Sequence, residues 1–255
     1  MHTSFHVRAG RVIGRDHMLR QANCQDSYAV VEQPDSLVAI VCDGSGSGRY
    51  SEFGSLLGAQ YVAARAAEHL QANVAPDELP ALLHRQIVTF LGDLRDLVQP
   101  IDPLAFVREH LLFTILGVAI KGGAGVIFSA GDGTVILDDE VNLIDQNNTP
   151  QYIAYHLLSA AELGDYTPAS GFAVLPLASG WQRLAIASDG FEPELAAHLW
   201  GQVHPLGLQR KLNGWSNSQR RFRDDATVIA IEQLIDKAAH SDSVIESERN
   251  HEVSA

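Results

Sequence analysis

The spacing of apolar and polar positions changes along the chain, which predicts strands at both ends of the sequence and helices between them. Near the start, residues 27–32 and 36–43 are β-branched and apolar, and the Gln-Pro-Asp between them is typical of a turn, so they predict a hairpin. Residues 51–72 carry apolar side chains at helical spacing, and a second helical stretch follows Pro76. We expect these two helices to be antiparallel neighbours.

Strand character returns after the helices and continues almost to the end of the chain. The predicted strands are residues 111–120, 125–132, 134–139, 171–177, 181–189 and 226–232. Lys-Gly-Gly-Ala and Asp-Gly turns predict that the first three of these strands form an antiparallel meander. A polar stretch at 145–152 interrupts the pattern, and short helices are expected at 193–200 and 205–213. Two blocks of strands with a helix pair between them indicate an α+β protein.

Chain length and composition are those of one folded domain. The chain has 255 residues, 46% of them hydrophobic, which is enough for one large core. We expect one domain at 1–235, because residues 236–255 are polar and charged and predict a disordered tail.

Charge and cysteine content narrow the class of protein. The net charge of -13 gives no driving force for binding a nucleic-acid backbone. Cys24 and Cys42 form no zinc or redox motif and indicate reduced thiols. No run of about 18 apolar residues predicts a membrane span, and the first residues do not resemble a secretion signal. We therefore expect a cytoplasmic protein that binds neither nucleic acid nor membrane.

Aspartates occur where apolar strands begin or end. Three predicted strands stop at an aspartate that glycine follows, and these aspartates are Asp43, Asp132 and Asp189. Asp224 instead comes just before the last strand. Because the start of one antiparallel strand lies beside the end of its partner, Asp224 is expected next to Asp189 or Asp43.

Converging carboxylates would repel and desolvate one another, which raises their pKa values unless cations neutralise them. Mg²⁺ and Mn²⁺ prefer such oxygen ligands, and the glycine after each aspartate leaves a carbonyl oxygen accessible. An Asp-Gly pair is also the strongest two-residue hairpin signal. For Asp132, which lies between two predicted strands, turn and metal ligand remain nearly equal alternatives, whereas helical segments follow Asp43 and Asp189.

An ordered set of six motifs runs from about residue 5 to residue 233. The motifs are GRDH (14–17), NCQDSYAV (23–30), VAIVCDGSGSGRYSEFGSLLG (38–58), FSAGDG (128–133), LAIASDGF (184–191) and DDATVIAI (224–231). Together they resemble the metal-dependent protein phosphatases of the protein phosphatase 2C (PPM-type) family, most closely a compact bacterial subgroup.

This resemblance implies a four-layer α-β-β-α sandwich of two antiparallel sheets flanked by helices. It also implies a serine/threonine phosphatase that acts on phosphoproteins made by a kinase, and we expect a monomer. Its water nucleophile would be activated at a dinuclear Mn²⁺ or Mg²⁺ centre. Asp43 would bridge the metals, the carbonyl of Gly44 would bind one of them, Asp189 and Asp224 would complete the other shell, and Asp132 would help to hold a third cation.

Three positions differ from the pattern of many family members. Gln25-Asp26 stands where a glutamate usually precedes the aspartate, so waters or Asp26 would hold the second metal. Ser45 replaces a histidine that protonates the leaving group, so a water or His17 would serve as the acid. Arg20 lies one residue from the usual phosphate-gripping arginine position and is the preferred clamp.

Two other functions compete with this interpretation. A cysteine-nucleophile phosphatase would need five residues between Cys42 and Arg49, but six separate them. A catalytically weak or silent domain that binds a phosphoprotein or a kinase is motivated by the substitutions at Gln25 and Ser45. The presence of all three core carboxylates argues against that second alternative.

Overall fold

The computed structural model describes residues 4–138, 140–146, 151–164 and 166–234. Within these ranges the strands are β1 Ser4–Val12, β2 Ser27–Gln33, β3 Ser36–Cys42, β4 Ile115–Lys121, β5 Ala124–Ala130, β6 Gly133–Leu137, β7 Glu140–Ile144, β8 Ala173–Leu177, β9 Arg183–Ala187 and β10 Ala226–Leu234. The α-helices are α1 Arg15–Arg20, α2 Ser51–Gln71, α3 Leu79–Val98, α4 Pro103–His110, α5 Ala160–Leu163 and α6 Gly207–Gln219. Short 3-10 helices cover Pro76–Glu78, Ile153–Leu157 and Pro193–His198.

Two five-stranded antiparallel sheets pack face to face. One sheet has the order β2-β3-β4-β5-β8, and the other has the order β1-β10-β9-β6-β7. Strand β3 lies in the middle of the molecule, and all seven of its residues are buried. Its side chains alternate, so that Val38 and Ile40 face the helices while Leu37 and Val41 face the second sheet. This two-sided burial explains why β3 is a continuous apolar run.

Helices cover the outer face of each sheet. The helices α2, α3 and α4 pack on the first sheet through one apolar cluster, and α6 with the 3-10 helix Pro193–His198 packs on the second sheet. A third cluster fills the space between the sheets. The predicted α+β four-layer sandwich, with its two antiparallel sheets and flanking helices, is therefore confirmed.

The predicted meander is wrong at its second turn. Strands β4 and β5 form a hairpin, but β5 belongs to the first sheet and β6 to the second. The Asp132-Gly133 pair therefore carries the chain between sheets rather than around a hairpin. Local turn residues cannot distinguish these two paths, because the sheet that accepts a strand is chosen by long-range pairing.

Several elements were not predicted from the sequence. They are β1, α1, α4 and β7, together with the short helices at 153–163. β1 is mostly half-buried and contains arginine and histidine, so its alternation is weak. The helices α1 and α4 have 6 and 8 residues, which is too short for a clear helical period. Residues 111–114 lie before β4 rather than within it, and only Phe113 forms an isolated bridge, to Gly44.

In the described part of the chain, no helix is both long and apolar enough to cross a bilayer. The predicted tail at 236–255 lies outside the described residues. Whether residues 1–235 form a single domain stays a prediction.

His84 on α3 packs against two rings of the chain between β7 and β8. It is 8% exposed, and its ring lies edge-on to the rings of His156 and Phe172, with centroids 5.1 and 5.7 Å away. Burial lowers the pKa of His84, and the nearby His156 and Arg85 lower it further, against a hydrogen bond to the Ala169 carbonyl. The folded protein therefore favours the neutral ring.

We expect His84 to make the protein less stable in acid. Because its folded pKa lies below the unfolded value of about 6.5, its contribution is fully present above that pH and is lost as pH falls below it. The difference in the free energy of unfolding between wild type and His84→Gln, measured by urea denaturation from pH 8 to pH 5, should therefore shrink towards acid. The exposed His198 provides the control substitution His198→Gln. A difference that is independent of pH would contradict this account.

Candidate active site

Asp43 stands immediately after β3, at one end of the sandwich. Its backbone N–H donates to Thr114 Oγ1 at 3.1 Å, and its carbonyl accepts from the Thr114 N–H at 2.8 Å. The next residue, Gly44, donates its N–H to the Gln25 carbonyl at 3.2 Å, and a Cβ there would lie 2.7 Å from that same oxygen. Glycine is thus needed for the close approach that holds the chain beyond Asp43 against the start of β2.

Asp189 and Asp224 are brought together by the pairing of β9 with β10. The ladder continues past β9, because the Ser188 N–H donates to the Thr227 carbonyl at 2.9 Å. A Cβ at Gly190 would overlap the carbonyl oxygen of Asp225, so only glycine permits this approach. The end of β9 therefore lies beside the start of β10, and both exposed carboxylates reach the same cavity.

One cavity of about 410 Å³ collects the strand-end carboxylates from both sheets. Asp43 comes from the first sheet, Asp189 and Asp224 come from the second sheet, and Asp132 comes from the crossing between them. The remaining described lining residues are Gly44, Ser45, Gly46, Ser47, Thr114, Tyr152, Tyr155 and Tyr166. No lysine, arginine or histidine occurs among the described residues that line it, so the lining itself supplies no positive charge to the carboxylates.

Burial and crowding raise the pKa values of two carboxyl groups in the cavity. Burial raises the pKa of Asp43 well above its usual range, and the charges of the contacting Asp26 and Asp189 raise it further. Burial likewise raises the pKa of Asp132, against the backbone N–H of Gln146, which donates to its Oδ1 at 2.6 Å. These directions are those expected of a group of acids held together without compensating positive charge.

Asp26 lies behind Asp43 and is completely buried. Its Oδ2 accepts a hydrogen bond from the Ser188 hydroxyl at 2.7 Å, and its Oδ1 has no hydrogen-bond donor among the described residues. Burial raises its pKa to about 7, while the Ser188 hydrogen bond opposes the shift. An unsatisfied buried carboxylate oxygen beside Asp43 is a suitable hard donor for a cation.

Asp225 organises the chain behind the cavity, and sequence reasoning assigned it no role. It is 3% exposed, and its two oxygens accept from the backbone N–H groups of Gly14 and Gln25 at 2.7 and 2.6 Å. Asp225 Oδ2 also lies 2.8 Å from His17 Nδ1. The Asp-Asp pair was a usable signal, because adjacent residues at a strand start point to opposite sides, and here Asp224 points outward and Asp225 inward.

Besides Asp26, three sequence-predicted residues lie outside the cavity lining. His17 is 3% exposed and packs behind the cavity wall, with Nδ1 3.9 Å from Asp224 Oδ1. Arg20 is exposed, and its Nε donates to the Asp16 carbonyl at 3.1 Å. Gln25 is buried and donates its side-chain N–H to the Gly48 carbonyl at 2.8 Å. Their predicted roles stay predictions that this placement does not favour.

A wall of hydroxyl groups faces the carboxylates, and only Ser45 in it was predicted. The Ser45 and Ser47 hydroxyls lie 2.8 Å apart. Burial raises the pKa of Tyr152 to about 12, against a hydrogen bond with the Ser45 side chain. The ring centroid of Tyr155 lies 5.5 Å from that of Tyr152 and 4.7 Å from that of Tyr166. The tyrosines were missed because residues 145–170 carry no recognisable motif.

The family model described as Protein phosphatase 2C matches residues 13–227, and the chain therefore belongs to this family of hydrolases. The resemblance expected from the six motifs is confirmed. No curated protein sequence matches the chain.

Solved structures share the fold at low sequence identity. The serine/threonine phosphatase of S. agalactiae is 17% identical, with a TM-score of 0.57 over 90% of this chain and 99% of that chain. Stp1 from Staphylococcus aureus is 13% identical, with a TM-score of 0.56 over 91% and 96%. RsbX in complex with magnesium is 13% identical, with a TM-score of 0.55 over 90% and 96%. At such identities the likeness extends to the fold alone.

Gln25→Glu tests whether position 25 is structural. A glutamate there could not donate to the Gly48 carbonyl, and its charge would be buried beside that carbonyl oxygen, so the substitution should lower the free energy of unfolding by about 1–3 kcal/mol. Urea denaturation would measure the change, with the exposed Gln60→Glu on α2 as the matched control. A stability equal to that of wild type in the absence of metal would show that position 25 already tolerates a charge.

Proposed function

We propose that this protein hydrolyses phosphoserine and phosphothreonine esters in proteins, at a dinuclear Mg²⁺ or Mn²⁺ centre in the carboxylate cavity. The observation that carries the proposal is the convergence of Asp43, Asp189 and Asp224 from two sheets onto one cavity whose described lining has no basic residue. Family membership supports the phosphatase class. The same proposal makes the substrate a kinase-modified protein and the enzyme a cytoplasmic monomer. Its two cysteines are free thiols, as is usual in the cytoplasm.

The donor set fits hard divalent cations. Carboxylates and a backbone carbonyl are the oxygen ligands that Mg²⁺ and Mn²⁺ prefer. In the proposal Asp43 would be a ligand of both ions, Gly44 would supply its carbonyl oxygen, and Asp189 and Asp224 would hold the second ion. Asp132 would hold a third, more weakly bound ion. Because Gln25 does not reach the cavity, Asp26 would act in its place beside Asp43.

When bound, such a pair of cations lowers the pKa of a water and neutralises charge on the phosphoryl oxygens. The protein's own contribution is placement. Thr114 fixes the backbone of Asp43, and Ser188 orients the carboxylate of Asp26 behind it. The hydroxyls of Ser45 and Tyr152 face the same cavity and can donate hydrogen bonds to phosphoryl oxygens. These hydroxyls could bind the phosphate in place of an arginine, because the described residues that line the cavity include no arginine.

Metal binding should stabilise the folded protein. At a Mn²⁺ concentration of 100 times the dissociation constant, the gain is about 2.7 kcal/mol, which corresponds to a rise in Tm of about 5–10 °C. Asp43→Asn should abolish that rise and should also make the metal-free protein more stable than metal-free wild type, because it removes one crowded carboxylate. Thermal unfolding with Mn²⁺ and with a chelator would test both parts, and a metal-free Asp43→Asn protein less stable than wild type would contradict the crowding argument.

Hydrolysis of p-nitrophenyl phosphate should require Mn²⁺ or Mg²⁺ and should stop with a chelator. Asp43→Asn should lower kcat by about 100-fold or more, whereas the exposed Asp77→Asn should behave as wild type. Peptides with phosphoserine or phosphothreonine should be dephosphorylated in preference to the phosphotyrosine version. A folded wild type with no metal-dependent turnover would instead favour the silent module that binds a phosphoprotein or kinase.

A further inference from the structure

A second cavity of about 480 Å³ adjoins the carboxylate cavity. The two cavities share Ser47, Tyr155 and Tyr166 as lining residues. The second one opens between the end of α4 and residues 155–166, and its other described lining residues are Arg108, Glu109, Leu112, Leu158, Glu162 and Leu163. A substrate bound at the carboxylates would therefore have this second cavity beside it.

The chemistry of the second cavity is apolar inside and charged at its edge. Leu112, Leu158 and Leu163 supply aliphatic surface, next to the rings of two tyrosines. Two of the three charged groups at this edge, those of Arg108 and Glu162, already have partners inside the protein. Arg108 Nη2 donates to the Glu162 carbonyl at 3.3 Å, and the Glu162 carboxylate accepts both the N–H and the hydroxyl of Ser159 at 2.7 Å.

The cavity is built in advance by contacts outside it. Ile153 and Ala154 are buried in the core beneath the first sheet's helices, so they anchor the segment that carries Tyr155. Arg95 Nη1 on α3 donates to the Leu157 carbonyl at 3.2 Å. A preformed cavity costs little ordering entropy when a ligand enters it.

We propose that this second cavity binds an apolar side chain of the phosphoprotein substrate, within two residues of the phosphorylated one. The inference rests on the proposed function and adds a substrate preference to it. An extended chain advances about 3.3–3.6 Å per residue, so a neighbouring residue suits a cavity that shares its wall with the carboxylate cavity. A charged side chain would lose hydration among leucines and tyrosines, and the edge charges of Arg108 and Glu162 are already partnered.

Peptide selectivity tests the proposal on the full-length protein with Mn²⁺. Leucine, serine or arginine is placed in turn at each of the two positions on either side of one phosphothreonine, in otherwise identical peptides. At one or more positions, leucine should raise kcat/KM over serine by about 10-fold or more, mainly through KM, because burial of a leucine side chain is favourable. Equal kcat/KM values at all four positions, or a preference for arginine, would overturn the proposal.

The variant Leu163→Glu places a charge on the inner surface of the cavity. Each peptide rate is divided by the p-nitrophenyl phosphate rate of the same preparation. The ratio of the leucine-peptide rate to the serine-peptide rate, which we call the leucine advantage, should then fall to about 1-fold in this variant. Leu97→Glu is the matched control, because Leu97 is 82% exposed on α3 and lines neither cavity, so it should retain the leucine advantage. Retention of the full advantage in Leu163→Glu would show that the preference arises elsewhere.

Failure of this proposal and failure of the proposed function give different results. Metal-dependent hydrolysis of p-nitrophenyl phosphate without any peptide selectivity would contradict only the proposal that the second cavity binds an apolar side chain. If the protein hydrolyses no substrate, fluorescence anisotropy can still measure how tightly it binds the same peptides. Tighter binding of a leucine peptide to wild type than to Leu163→Glu would support the cavity's role, and equal dissociation constants for all peptides would overturn it.

Discussion

Repulsion among carboxylates at one end of the sandwich is the constraint on which the rest of the site depends. Asp43 contacts both Asp26 and Asp189, and burial together with their charges favours the protonated form of Asp43. Flexible loops would relieve such crowding by moving apart. Here each acid is attached to a buried strand or to its immediate end, so the packing of the two sheets maintains a charge density that the protein does not neutralise itself.

Rigid backbone contacts sustain that arrangement. Thr114 clamps the main chain at Asp43 through two hydrogen bonds, and Asp225 ties the segments that contain Gly14 and Gln25 to the start of β10. A buried carboxylate that accepts two backbone N–H groups is strongly stabilised in its position. Asp225 therefore connects the chain before β2 to the strand that delivers Asp224, although it does not line the cavity itself.

Residues 151–164 and Tyr166 shape one side of the carboxylate cavity. Their tyrosines close one wall of the carboxylate cavity and one wall of the adjoining cavity. Their anchoring through Ile153 and Ala154 belongs to the core, whereas their tyrosine rings belong to the site. An irregular segment of this kind can change its side chains without disturbing the strands that position the acids.

The sequence by itself determined the class of fold and the position of three acids at strand ends. Apolar strands that stop at Asp43 and Asp189, and Asp224 at the start of a strand, are local patterns that the chain carries regardless of its folding. Only the tertiary structure decided that β5 and β6 lie in different sheets, that Asp225 points inward while Arg20 lies at the surface, and that tyrosines from 151–166 reach the acids. These features depend on which distant segments pack together, and local spacing holds no record of a contact between residues far apart in the chain.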